Sequence, residues 1–80
     1  MNVEVRLFAT LRDYLPPSGN RTAIQIEISD GASIADVIND LGIPAGLAHL
    51  VLLDGRHVPD RRRLLRDGCV LSIWPPIAGG

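Results

Sequence analysis

TAIQIEISDGASIADVINDLGIP, residues Thr22–Pro44, changes its hydrophobic period halfway along, and that change decides the fold. From Thr22 to Ser29, Ile24, Ile26 and Ile28 alternate with Gln25 and Glu27, the period of a strand with one buried face, and isoleucine suits a pleated surface. After Asp30-Gly31 the spacing lengthens: Ile34, Val37, Ile38 and Leu41 form a single helical stripe, while Asp36, Asn39 and Asp40 face out. Ser33 can cap the helix with Asp36 at the third helical position, where a carboxylate also favours the positive end of the dipole. Gly42 supplies a left-handed stop and Pro44 prevents resumption, which predicts a helix over 34–41.

The flanks complete the pattern. Val3, Val5 and Leu7 alternate with Glu4 and Arg6, a first strand that precedes the isoleucine strand and pairs antiparallel with it. Between them, Phe8, Leu11 and Leu15 recur at helical spacing. Thr10 with Asp13 resembles a capping pair, so a short helical turn is expected before Pro16-Pro17 and the Ser18-Gly19-Asn20 loop. Beyond the helix, His49–Leu53 runs into the Asp54-Gly55 turn signal and returns as Arg56-His57-Val58, a short hairpin. A second turn at Asp67-Gly68 leads to a last strand over Cys69–Trp74 with Leu71 and Ile73 facing inward. A hairpin, a crossing helix and a return to the same sheet describe an α+β fold of the β-grasp, ubiquitin-like type. Its mixed sheet of 4–5 strands packs on one main helix, with the last strand parallel to the first.

Composition narrows the function. Eighty residues, 46% hydrophobic and 21% charged, make one small domain with little room for both a core and a deep catalytic cleft. Eight arginines, no lysine and nine carboxylates give a net charge of −1, too balanced for a general nucleic-acid or membrane-surface binder. No secretory signal or apolar run of spanning length is present, so the chain reads as soluble and cytoplasmic. The lone Cys69 cannot form an internal disulfide and has the parity of a half-buried small hydrophobe. His49 and His57 lack a third ligand or a nucleophile partner, so no metal site is expected. Arg61-Arg62-Arg63, with Arg56 and Arg66, would form either a basic rim for an acidic partner or a solvated loop.

The body is taken as residues 1–74 and the remainder, 75–80, as an extended tail. Pro75 and Pro76 fix their own φ angles and favour an extended arm, and Ile77-Ala78 lead to Gly79-Gly80, where the absence of Cβ lets a backbone enter a narrow slot. A frayed end that happens to carry two glycines is the plain alternative.

Pro75-Pro76-Ile77-Ala78-Gly79-Gly80 resembles the terminal signature of the MoaD/ThiS family of ubiquitin-like sulfur carriers. Leu7-Phe8-Ala9-Thr10-Leu11-Arg12 and Gly31-Ala32-Ser33-Ile34-Ala35-Asp36-Val37 are similar to that family at pattern level, and Leu53-Asp54-Gly55 occupies a turn where the family commonly has Asn-Gly. The family often carries an acidic residue near Cys69, which is a departure here. The resemblance implies that the Gly80 carboxylate, with Gly79 as its steric requirement, is adenylated with ATP by an E1-like enzyme. A sulfur donor protein such as a persulfide carrier then converts it to a thiocarboxylate.

On that reading the protein is a co-substrate and not an enzyme, binds no cofactor itself, and leaves ATP and metals to the partner. The Leu-Phe-Ala start leans toward molybdopterin biosynthesis, with the large subunit of molybdopterin synthase as a further partner. Three alternatives stay open: a ubiquitin-like modifier joined to target lysines through Gly80, a thiamine-type carrier, and a binding module with an inert tail. The expected docking residues are Trp74, Pro75, Pro76, Ile77 and Ala78 with Leu52 and Val70, because Leu52, Val70 and Trp74 have the outward parity where a monomer normally shows polar groups.

Overall fold

The computed structural model describes residues 1–15 and 22–76. Strands β1 (Asn2–Leu7), β2 (Ala23–Glu27), β3 (Leu50–Leu53), β4 (Arg56–His57) and β5 (Val70–Trp74) form one sheet in the order β2-β1-β5-β3-β4. β1 and β5 are parallel and every other pair is antiparallel, with Val5 opposite both Ile24 and Leu71. Helix α1 (Ile34–Asp40) crosses one face, and this is the β-grasp arrangement read from the sequence.

The alternation of each strand builds the core. Val3, Val5, Leu7, Val51, Leu71 and Ile73 are fully buried and meet Ile34 and Val37 of α1. Truncating any one of these aliphatics would cost about 2–5 kcal/mol through lost burial and the cavity left behind. Ile24 and Ile26 are only partly buried because β2 is an edge strand. The strand stops at Glu27 instead of Ser29, yet Ile28 still packs on the core and its N–H donates to the Met1 carbonyl at 2.9 Å.

Both ends of α1 follow the sequence. Ser33 Oγ accepts from the Asp36 N–H at 3.2 Å, and Asp36 Oδ2 accepts from the Ser33 N–H at 2.8 Å, a reciprocal box worth about 1 kcal/mol. The next two orphan donors, the Ile34 and Ala35 N–H groups, are satisfied by the Arg63 and Arg61 carbonyls at 3.0 and 2.9 Å. Leu41 caps the other end and Gly42 follows at φ +77°, as its position required. In the hairpin turn, Asp54 (φ 50°) and Gly55 (φ +83°) both adopt left-handed angles, matching the twist of β3 and β4.

The segment after β1 differs from its reading. It is a 3-10 helix, Ala9–Tyr14, whose N-cap is Phe8 with no side-chain cap, so Thr10 and Asp13 do not form the expected pair. Leu11 alone turns fully inward, at 1% exposure, while Tyr14 and Leu15 pack at the margin. Phe8 leaves the stripe altogether. The Pro16–Asn20 loop lies outside the described residues. Among the described residues no helix is long and apolar enough to cross a membrane.

Candidate functional site

With Val51, Leu53, Leu71 and Ile73 facing α1, the strand period sends Leu50 and Leu52 of β3 and Val70, Ser72 and Trp74 of β5 to the open face. The register sets Leu50 opposite Trp74 and Leu52 opposite Ser72, so Leu52 lies diagonal to both Val70 and Trp74. The structure therefore brings the three predicted body residues together. On the β1–β2 half of the same face stand Glu4, Arg6 and Gln25; Glu4 accepts from Arg6 Nε and from Gln25 Nε2. The open face is split into a charged half and an apolar half.

At its apolar end, Phe8 stacks on Trp74 with ring centroids 4.2 Å apart and planes 2° from parallel. This residue was assigned to a helical stripe from spacing alone, but it continues the outward parity of Glu4 and Arg6. A turn at Ala9 (φ 52°) then carries the chain away and leaves the ring on the sheet. Strand parity was the signal that could have found it. Leu50, 37% exposed, was also missed, although the parity that sends Leu52 outward sends Leu50 to the same face. Trp74 is half-buried under Phe8 and is a wall of the patch more than a free-standing anchor.

The root of the tail is held firmly. The Phe8 N–H donates to the Ile73 carbonyl at 3.2 Å, and the His49 N–H donates to the Trp74 carbonyl at 3.0 Å. Pro75 is half-buried and Pro76 exposed. Ile77, Ala78, Gly79 and Gly80 lie outside the described residues.

Arg61 corrects the expected arginine rim. Its Nη2 donates to the carbonyls of Ala48 (2.8 Å) and His49 (3.0 Å), and its Nη1 to that of Val58 (3.2 Å), so it braces the backbone instead of facing a partner. Arg62 is exposed and paired with Asp60. The Arg62 backbone N–H, and then its side chain, hold the Asp60 carboxyl below the ordinary carboxylate range. Arg63 points to solvent with Arg56 and Arg66.

Cys69, His57 and His49 stand apart from one another among the described residues. Cys69 is buried at 5% exposure, just before β5, as its parity suggested. His57 stands opposite Leu52 on the edge strand and His49 precedes β3, both exposed. Among the described residues no three His, Cys, Asp or Glu side chains gather where a metal ion could sit, and no polar side chain is buried.

Known proteins share this geometry. Small archaeal modifier protein 3 of Haloferax volcanii is 29% identical, over the full length of both chains. The solution structure of the Haloferax volcanii HVO 2177 protein superimposes with a TM-score of 0.78 at 32% identity, covering 100% of this chain and 87% of that one. A chain in the complex of subunits 1 and 2 of molybdopterin-converting factor from Helicobacter pylori 26695 matches with a TM-score of 0.62 at 25% identity, over 100% of both. The likeness to the MoaD/ThiS group drawn from sequence motifs is thereby borne out. The Mut7-C ubiquitin family matches residues 1–78, a span that takes in the whole sheet and stops short of Gly79-Gly80, and the chain belongs to that family.

Proposed function

We propose that this protein is a ubiquitin-like sulfur carrier, a protein co-substrate whose reacting group is the carboxylate of Gly80. The observation that carries the reading is the placement of Trp74, Pro75 and Pro76 at the rim of an apolar half-face, so that a partner covering Leu52, Val70 and Trp74 would also receive the tail. A carboxylate is a poor electrophile at neutral pH. In the proposed cycle an E1-like enzyme transfers AMP from ATP to it, releasing pyrophosphate and giving the acyl carbon a good leaving group. The outer sulfur of a donor persulfide displaces AMP, and a second donor thiol cleaves the resulting S–S bond, leaving a thiocarboxylate on Gly80 and a disulfide on the donor. Gly79 keeps the approach to the activating site free of Cβ atoms.

The likeness to a subunit of molybdopterin-converting factor, found in complex with a second subunit, supports a molybdopterin role with a large-subunit partner. The name of the Haloferax relative supports the second reading, a modifier whose activated Gly80 forms an amide with a target lysine. This chain has no lysine of its own, so chains built through its own lysines cannot form.

Intact mass separates the readings. The chain is incubated with ATP and a lysate of the cells that make it, beside a form lacking Gly80. Replacement of one oxygen by sulfur on the intact chain alone supports the carrier. Higher-mass lysine adducts support the modifier, and neither species in an active lysate would leave a binding module with an inert tail. Trp74→Ala should weaken capture by the activating enzyme while the sheet stays folded.

A further inference from the structure

The opposite end of β5 carries a feature that the carrier reading does not use. Between the β3–β4 turn and the 63–69 segment runs an open cleft of about 500 Å³, lined by Arg56, His57, Arg63, Arg66, Leu64 and Asp54 among others. Residues 54–67 hold five arginines against three aspartates. Asp60 pairs with Arg62, while Asp54 Oδ1 accepts the Val70 N–H at 2.9 Å and Asp67 Oδ1 the Asn2 N–H at 2.7 Å; these two keep their negative charge and are outnumbered by the arginines. Arg61 is spent on backbone carbonyls. Arg56, Arg63 and Arg66 are left exposed on one cleft, and none forms an ion pair with another described residue.

Beside them Leu64 is 58% exposed, the most open large aliphatic side chain among the described residues. Guanidinium groups are planar double donors that match carboxylates, and an apolar side chain between them asks for an apolar counterpart. A free phosphate would favour converging backbone N–H donors, whereas here the α1 donors are consumed by Ser33, Arg61 and Arg63.

We infer that this cleft is a second docking site, which takes an acidic segment of a partner protein with carboxylates on Arg56, Arg63 and Arg66 and an apolar residue against Leu64. The site lies beside Val70, roughly 13 Å along β5 from Trp74. Its arginines and Leu64 are distinct from the tail residues, so it does not depend on the chemistry at Gly80.

The test uses the full chain, isotopically labelled, titrated with a blocked synthetic peptide of glutamates flanking one leucine. Amide shifts should be confined to 53–58 and 63–69, and the affinity should fall steeply with added salt. The triple change Arg56→Gln, Arg63→Gln and Arg66→Gln should weaken binding at least about tenfold, an effect of about 1.4 kcal/mol, with the dispersed amide spectrum of the folded protein retained. Leu64→Asn should weaken it less and leave the salt dependence unchanged, which keeps the apolar contact testable if the triple variant misfolds.

Equal binding of the same peptide with glutamine for glutamate would overturn the proposal. So would the same shifts with inorganic phosphate alone, which would mark a simple anion site, or shifts centred on Leu52 and Trp74. None of these outcomes bears on whether Gly80 acquires sulfur.

Discussion

The two ends of β5 make opposite use of the same strand. At Val70 the chain rises out of a polar turn, with Asp54 and Asp67 oxygens tied to backbone N–H groups and arginines fanned over a cleft. At Trp74 it leaves through an aromatic stack with Phe8 and past an exposed leucine, Leu50. One fully buried pair, Leu71 and Ile73, serves both ends on the inner face. The difference teaches that a small domain can still carry two chemically distinct surfaces at the two ends of one central strand.

That comparison breaks first at Arg61, which spans it. Its backbone carbonyl serves α1, and its guanidinium reaches His49, whose own N–H holds Trp74. Replacing Arg61 with alanine should cost about 1.5–3 kcal/mol, since a charged donor is withdrawn from three carbonyls. Arg62→Ala, an exposed change one residue away, should stay within about 0.5 kcal/mol. Urea midpoints compare the two, and equal values would show Arg61 to be no more than a surface residue.

A smaller effect isolates the aromatic end. A double-mutant cycle on Phe8→Ala and Trp74→Ala should return a coupling of about 0.5–1.5 kcal/mol beyond their separate burials. The tryptophan band of the near-ultraviolet circular dichroism should fall in Phe8→Ala, where Trp74 loses its stacked neighbour. Additive losses would mean that the two rings merely lie side by side.

The smallest effect is at Asp60, on the arginine side. Its carboxyl titrates below the ordinary range, so the folded state favours the ionised form. Any stability it adds is present above the ordinary carboxylate pKa and disappears as the pH falls through the lowered one. Asp60→Asn should therefore differ slightly from the parent near neutrality and match it in acid, and a difference that grows in acid would contradict the assignment.

How much of this was legible in sequence follows from the range of each interaction. The isoleucine strand, α1 with its Ser33–Asp36 box and the Asp54-Gly55 turn rest on neighbours a few residues apart, and local spacing revealed them. The meeting of Leu52, Val70 and Trp74 followed from parity once the sheet was assumed. Phe8 was misassigned because three apolar residues at helical spacing outweighed the strand parity that continues through it. Arg61 was indistinguishable from Arg62 and Arg63, since its partners are backbone carbonyls, two of them 12 and 13 residues away, and carbonyls leave no mark in composition. The role proposed for Gly79-Gly80 came from the family resemblance together with the missing Cβ atoms, and both residues lie outside the described ones.

The central position of β5 has a mechanical consequence. The strand is laced to β1 on one side and to β3 on the other, and the last rung, His49 to Trp74, sits where the tail departs. A tug on the tail along the strand therefore loads both ladders lengthwise, so that many bonds share the strain and none can be peeled away singly. On the proposed function, an enzyme that drew the tail taut would find the body holding like an anchor at the end of its rope.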